Sequence, residues 1–278
     1  MKLPSNPFVI WVKGRIKKNR NAIILVNGST GSGKSYASIS LAQEIAKELG
    51  TSFNVNDNLS FKFTDLLQKM NLEQNQGAGV CFVFEEVGSI GSGAASRQWQ
   101  SKTNLFFNSF VQTSRHRNQI LIMNCPSYSA LEKSVRALIH TQLETLYINP
   151  KEKVCYLKPY ICQTNSRTGK TYFKYLRVKY DGKQFKFNKL GLKHPGDKAV
   201  DEYEKMKMTF TTELNQMIID SDKGESKLKP LSPEQKEWKV LWDQGKNVKE
   251  IAEIRGYSER NSSKHKQRIE NKGYCLEK

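Results

Sequence analysis

Short apolar runs alternate with helix-like stretches from residue 21 to residue 148. Strands are expected at 22–27, 80–84, 119–124 and 142–148, with a weaker one near 52–55. Between them, 34–49 has helical periodicity and ends at Gly50. Helices are also expected at 64–70, 101–114 and 129–139. Near-continuous apolar strands separated by helices predict an α/β domain with a mostly parallel sheet. The pattern then changes: 154–164, 171–180 and 183–190 are rich in Tyr, Phe and Val and are punctuated by 165–170 and by Asp181-Gly182, so a β-meander is expected. Residues 197–219 place Ala199, Tyr203, Met206, Phe210, Leu214 and Met217 on one helical face. The polar stretch 221–230 reads as a linker. After it, Ser232-Pro233 opens a helix bearing Trp238, Leu241 and Trp242 and stopped at Gly245. A second helix closes at Gly256, and Ser258 caps a basic third one running to about residue 272. The expected organisation is a basic segment 1–20, a core 21–150, a basic meander and helix 151–220, the linker, and a small all-α unit 231–278.

Charge sharpens this picture. The 278 residues carry 45 Lys+Arg against 27 Asp+Glu, a net of +18, and segments 1–20 and 151–193 together hold +16 of it. Such patterned basicity calls for a polyanionic partner, foremost DNA, although a solubilising face is the blander reading. No apolar run is long enough to span a bilayer, and the first residues lack the h-region of a signal peptide, so a cytoplasmic protein is expected. Five cysteines without a CxxC pair argue against a disulfide framework or a zinc site. The four histidines have no metal-ligand spacing.

The chemistry is carried by Gly28-Ser29-Thr30-Gly31-Ser32-Gly33-Lys34-Ser35, which fits G-x-x-x-x-G-K-[ST] between an expected strand and an expected helix. Its glycines would let backbone N–H groups face the phosphates of ATP. Lys34 would reach the β- and γ-phosphates, and Ser35 would ligate Mg²⁺. The apolar strand 80–84 delivers Glu85 and Glu86 at its C-terminal end. Glu85 would hold Mg²⁺, directly or through water, and Glu86 would activate the attacking water. Asn124, ending the next strand, would sense the γ-phosphate. Arg115, Arg117, Arg136 or Arg97 would serve as an arginine finger to a neighbouring subunit, Arg115 being preferred, with a surface or DNA-facing role at least equally open to each.

These motifs, with Ser114-Arg115-His116-Arg117 feeding 120–124, resemble the FtsK–HerA group of P-loop motor ATPases, including zonular-occludens-toxin-like and viral packaging relatives. The resemblance covers about half the chain, residues 20–150. It implies an extra strand between the P-loop strand and the acidic strand, a ring-shaped and often hexameric homo-oligomer, and DNA translocation. Asn124 stands where the group commonly has Gln, and Glu85 where it has Asp. The C-terminal helices resemble a helix-turn-helix module whose third helix offers Arg260, Asn261, Lys264, Lys266 and Arg268 to DNA. A three-helix protein-interaction module has the same pattern. In the meander, Lys174, Arg177, Lys179 and Lys183 are the expected phosphate contacts. The reading is an ATPase that handles DNA in translocation, packaging, transfer or replication. An AAA+-like replication initiator or loader, or a nucleotide-controlled DNA-binding regulator with little turnover, shares most of these features.

Overall fold

The structure is a computed structural model that describes residues 6–85, 110, 114–165, 167–224, 231–271 and 274, with backbone only over 220–224. The chain divides into two compact units, Met1–Met208 and Thr209–Lys278.

In the first unit, strands β1 (Ala22–Asn27), β2 (Leu59–Ser60), β3 (Cys81–Phe84), β4 (Ile120–Cys125) and β5 (Thr141–Asn149) form a parallel sheet in the order β2-β3-β4-β1-β5. Strand β4 therefore separates β1 from β3, as the resemblance implies. Every residue of β1, β3 and β4 is buried, which is why these strands are apolar without alternation. Helices α1 (Pro7–Ile16) and α2 (Lys34–Leu49) pack together. Side chains Ile23, Leu25, Phe82, Phe84, Leu121 and Met123 form a core with α4 (Phe63–Asn71) and α5 (Lys133–Leu138).

Several expected elements differ. No strand forms at 52–55: the Asn54 side chain accepts from Asn56 N at 2.8 Å and caps a single helical turn, α3 (Val55–Asn58), leaving β2 to follow it. The helix expected at 129–139 is a 3₁₀ turn, Tyr128–Ala130, and then α5. The one expected at 101–114 lies outside the described residues apart from Phe110, which is buried, and Ser114. The basic start of the chain is an anchored helix from Pro7 onward. Asn6 caps α1, Phe8 and Val12 are buried, Lys13 pairs with Glu48 at 2.5 Å, and Arg15 donates to Asn21 O.

The basic strands extend the same sheet. β5 pairs antiparallel with β6 (Val154–Thr164) along its length, and β6 pairs with β7 (Thr171–Tyr180), which pairs with β8 (Lys183–Phe187). Residues 183–190 do not make one strand. The chain turns after Phe187, and β9 (Leu190–Lys193) pairs with Val154–Leu157 of β6, the half of that edge left uncovered by β7.

Helix α6 (Asp197–Gly224) continues past 219 into the stretch read as a linker, since neither Gly nor Pro precedes Gly224 to stop it. In the second unit, α7 (Pro233–Asp243), α8 (Val248–Arg255) and α9 (Glu259–Glu270) share a core of Leu231, Trp238, Trp242, Ile251 and Ile269. Ser232 with Gln235, and Asn247 with Glu250, form capping boxes. Gly256 ends α8 at φ +68°, and Ser258 caps α9. His265 stacks on Trp238 at 4.5 Å.

His140 joins β5 to β1: its backbone N donates to Ile23 O and its Nδ1 accepts from Ile23 N, each at 3.0 Å. Burial first, and the Arg15 charge second, lower its pKa to about 3. The unfolded chain therefore takes up a proton below pH about 6.5 that the folded chain refuses, costing up to about 1.4 kcal/mol per pH unit. His140→Leu should flatten the pH dependence of unfolding free energy between neutral pH and about pH 5 by close to one proton, measured by urea denaturation.

Candidate nucleotide-binding site

The glycine-rich motif lies where β1 ends and α2 begins. Gly31 and Gly33 have φ of +76° and +86°, and Gly28 has +154°. Close contacts add a second reason for glycine. A Cβ on Gly28 would lie 1.8 Å from Thr145 Oγ1, and one on Gly33 would lie 3.0 Å from Ile148 Cδ1. Both walls come from β5. Thr145 Oγ1 also lies within hydrogen-bond distance of Asn27 O and Ser32 Oγ, and Cys155 Sγ on β6 reaches Ser32 O. Burial pushes the Cys155 thiol up to about 11, so it packs as a neutral group. Lys34 Nζ donates to Gly28 O at 2.9 Å and Ser29 O at 2.7 Å, curling over the loop. The first turn of α2 turns its backbone donors toward this loop, an arrangement suited to phosphate.

Glu85 follows β3 and is 2% exposed. A buried carboxylate requires hydrogen-bond donors, and two converge on it. Ser35 Oγ donates to Oε2 at 3.2 Å, and Asn124 Nδ2 donates to Oε1 at 2.6 Å. Ser38, one turn beyond Ser35, donates to Asn124 Oδ1 at 2.5 Å and thereby orients the amide toward Glu85. The hydroxyl of Ser35 and the carboxylate of Glu85 form a hard-oxygen pair of the kind Mg²⁺ selects, leaving room for water and phosphate oxygens in its shell. The longer Glu side chain in place of Asp thus still meets Ser35.

Beside this cluster is a cavity of about 440 Å³, lined by the loop, Glu85, Asn124, Ile148, Tyr36 and residues of α6. From α6 come Tyr203, Glu204 and Lys207. Tyr36 donates to Glu204 Oε1 at 2.9 Å, and burial followed by that carboxylate raises the Tyr36 hydroxyl above its ordinary pKa. No motif marks Thr145, Ile148, Ser38, Tyr36, Glu204 or Lys207. Ser38 alone had a signal, one turn beyond Ser35 on the same helix.

Other expected residues are placed differently. Glu86 and Arg97 lie outside the described residues. Arg115 is exposed and precedes β4, at the opposite end of that strand from Asn124. Arg117 donates to Met70 O, and the Arg136 guanidinium lies 5.6 Å from the Tyr128 ring centroid. The four meander bases do not share a face. Side chains alternate along β7, so Arg177 and Lys179 point to one side while Lys174 points to the other, and Lys183 is paired with Tyr180 on that other side. On α9, Arg260, Asn261, Lys264 and Arg268 are exposed, whereas Lys266 is half-buried on the side of Ser262 and Ile269.

Gly28→Ala should reduce binding of a fluorescent ATP analogue at least tenfold, because its Cβ would displace Thr145 and the loop with it. Ser38→Ala should lower stability by about 1–3 kcal/mol in urea denaturation, the cost of leaving the buried Asn124 oxygen without its donor.

No protein-family model matches the chain, and no curated protein does. Among solved structures, it is similar to the N-terminal domain of zonular occludens toxin from Neisseria meningitidis over 56% of this chain and 95% of that one, at 16% identity and a TM-score of 0.29. It is also similar to the genome packaging NTPase B204 from Sulfolobus turreted icosahedral virus 2 in complex with AMPPCP, over 55% of this chain and 96% of that one, at 11% identity and a TM-score of 0.32. The EssC ATPases 2 and 3 from Geobacillus thermodenitrificans match over 72% of this chain and 44% of theirs, at 13% identity and a TM-score of 0.33. The P-loop character of the core rests on the chain's own loop, strand order and buried carboxylate rather than on these matches.

Proposed function

We propose that the chain binds and hydrolyses ATP with Mg²⁺ and couples turnover to the handling of DNA, as a cytoplasmic protein assembled into a homo-oligomeric ring. The observation that carries the nucleotide chemistry is the meeting of Ser35 and Asn124 on the buried carboxylate of Glu85, beside a loop whose lysine crosses its own mouth. Phosphoryl transfer is catalysed mainly by positioning and charge. The loop N–H groups and Lys34 bind the phosphates. Ser35 and Glu85 would hold Mg²⁺, which when bound neutralises charge on the phosphate oxygens. Asn124, held by Ser38 against Glu85, is the proposed sensor of the γ-phosphate. Glu86 is the proposed base for that water, and Arg115 the proposed finger offered to a neighbouring subunit's site.

DNA handling is supported by the basic strands β6 to β8 and by the exposed bases of α9. In this reading 231–278 is a helix-turn-helix module that contacts duplex DNA through Arg260, Asn261, Lys264 and Arg268, with Lys266 at the edge of that surface. The bases of β7 supply further affinity for phosphate.

Lys34→Ala should abolish ATP binding, while Glu86→Gln should preserve binding and stop turnover, read by phosphate release with and without DNA. Wild-type turnover in Glu86→Gln would remove Glu86 from the mechanism. Replacing Arg260, Lys264 and Arg268 by Ala should weaken duplex binding, and the slope of log K against log salt should fall by about 0.9 for each phosphate that the variant leaves unneutralised. An unchanged slope would assign α9 to a protein partner.

A further inference from the structure

The sheet beyond β5 has two unlike faces. Leu157, Leu176 and Val178 are buried on one. Strand alternation puts Tyr160 and Cys162 of β6 with Tyr175 and Phe173 of β7 on the other, as their cross-strand pairing requires. This second face carries a contiguous set of rings. Tyr160 stacks on Tyr175 at 5.3 Å, Phe173 meets Tyr160 edge-on at 6.2 Å, and Tyr128 meets Phe173 edge-on at 5.2 Å. Farther along β6, Tyr147 and Tyr156 lie 5.0 Å apart. These rings are not hidden: Phe173 is 42% exposed and Tyr147 is 49% exposed.

Cations accompany the rings. Lys186 Nζ lies 5.0 Å from the centre of Tyr175, and Lys189 Nζ lies 4.5 Å from that of Tyr156. Lys158, Arg177 and Lys179 share the face by register, against Glu144 and, at its margin, Glu152. A groove of about 330 Å³ opens among Tyr128, Tyr160, Phe173, Gln142 and Glu144. Its walls are aromatic, and the Glu144 carboxylate supplies polar atoms for the edge of a flat heterocycle, while Gln142 Nε2 is held by Asn27 Oδ1 at 2.9 Å.

A surface apolar by rings alone would suit a protein partner, but rings interleaved with an excess of cations suit a polyanion whose subunits are themselves flat and aromatic. Duplex DNA satisfies the charge while keeping its bases stacked on each other; a single strand presents free base faces as well as phosphates. We infer that this face of β6 and β7 binds single-stranded nucleic acid, stacking bases on Phe173, Tyr160 and Tyr175 and holding the phosphates with Arg177, Lys179 and Lys186. The inference rests on the reading of the chain as a nucleic-acid-handling protein and adds the strandedness and the residues that decide it. It also gives separate roles to the meander bases, since Lys174 and Lys183 point away from this face.

The test compares a labelled single-stranded oligonucleotide with the matching duplex by fluorescence anisotropy, on the full chain, at low and high salt. Phe173→Leu with Tyr175→Leu keeps the face apolar and removes two π-faces. Phe173→Tyr with Tyr175→Phe keeps both rings. The Leu pair should lower single-strand affinity roughly tenfold or more per ring, with duplex affinity changed less than about twofold, and the ring-keeping pair should restore wild-type binding. The weakening should persist at high salt, where phosphate interactions fade. Thermal melting checks folding, and if the Leu pair melts early, Phe173→Leu alone, at the most exposed of the three rings, repeats the comparison. Equal weakening on both polymers, no weakening, or no recovery with the rings retained overturns the inference. Binding of duplex but not single strand sinks the inference and leaves DNA handling standing. Binding of neither polymer overturns both.

Discussion

The buried carboxylate of Glu85 ties the nucleotide site to the fold. A carboxyl group at 2% exposure is tolerated only when its polar atoms are satisfied. Its donors come from Ser35 in α2 and Asn124 in β4, while its backbone N reaches Ser60 O in β2. One residue thus registers the start of a helix against the ends of three strands. That is possible because β4 lies between β1 and β3, which places Asn124 between loop and carboxylate. Ser38 completes the chain of donors, so the amide has one orientation in which all four groups are partnered.

A second constraint comes from β5. Its first residues, Thr141–Glu144, pair parallel with β1, and its full length pairs antiparallel with β6. Between Thr145 and Tyr147 the register shifts by one residue. Thr145 and Ile148 then lie against the two glycines of the loop at which added bulk would collide, and Tyr147 joins Tyr156 on the aromatic face. The strand that walls the phosphate loop is therefore also the one from which the basic, ring-bearing strands are hung. The bulge lets both faces be used without breaking the sheet.

The C-terminal unit uses a different economy of size. Trp238 and Trp242 bury two of the largest side chains available, and His265 lies flat on Trp238. Large rings give a short segment the apolar area that a few aliphatic side chains would not. Capping boxes on two of its helices and Ser258 on the third satisfy the N-terminal donors, so the helix boundaries were legible from caps and glycines.

What the sequence determined by itself is local or nearest-neighbour in kind. Apolar runs located β1, β3, β4 and β5, the glycine-lysine motif located the loop, and cap residues located α2 and the last three helices. Each signal arises from backbone geometry within a few residues, which composition records directly. Where local signals competed, the outcome differed: Asn54 used its side chain to start a turn instead of continuing a strand. Tertiary structure alone decided which elements became neighbours. No local feature shows that β9 leaves β8 to cover the free half of β6, that Ser38 orients Asn124, or that Thr145 stands against Gly28. Nor does a count of lysines show that Lys174 and Arg177 face opposite sides of the sheet. Those outcomes depend on strand register and long-range pairing, where a shift of one residue exchanges the two faces of a sheet.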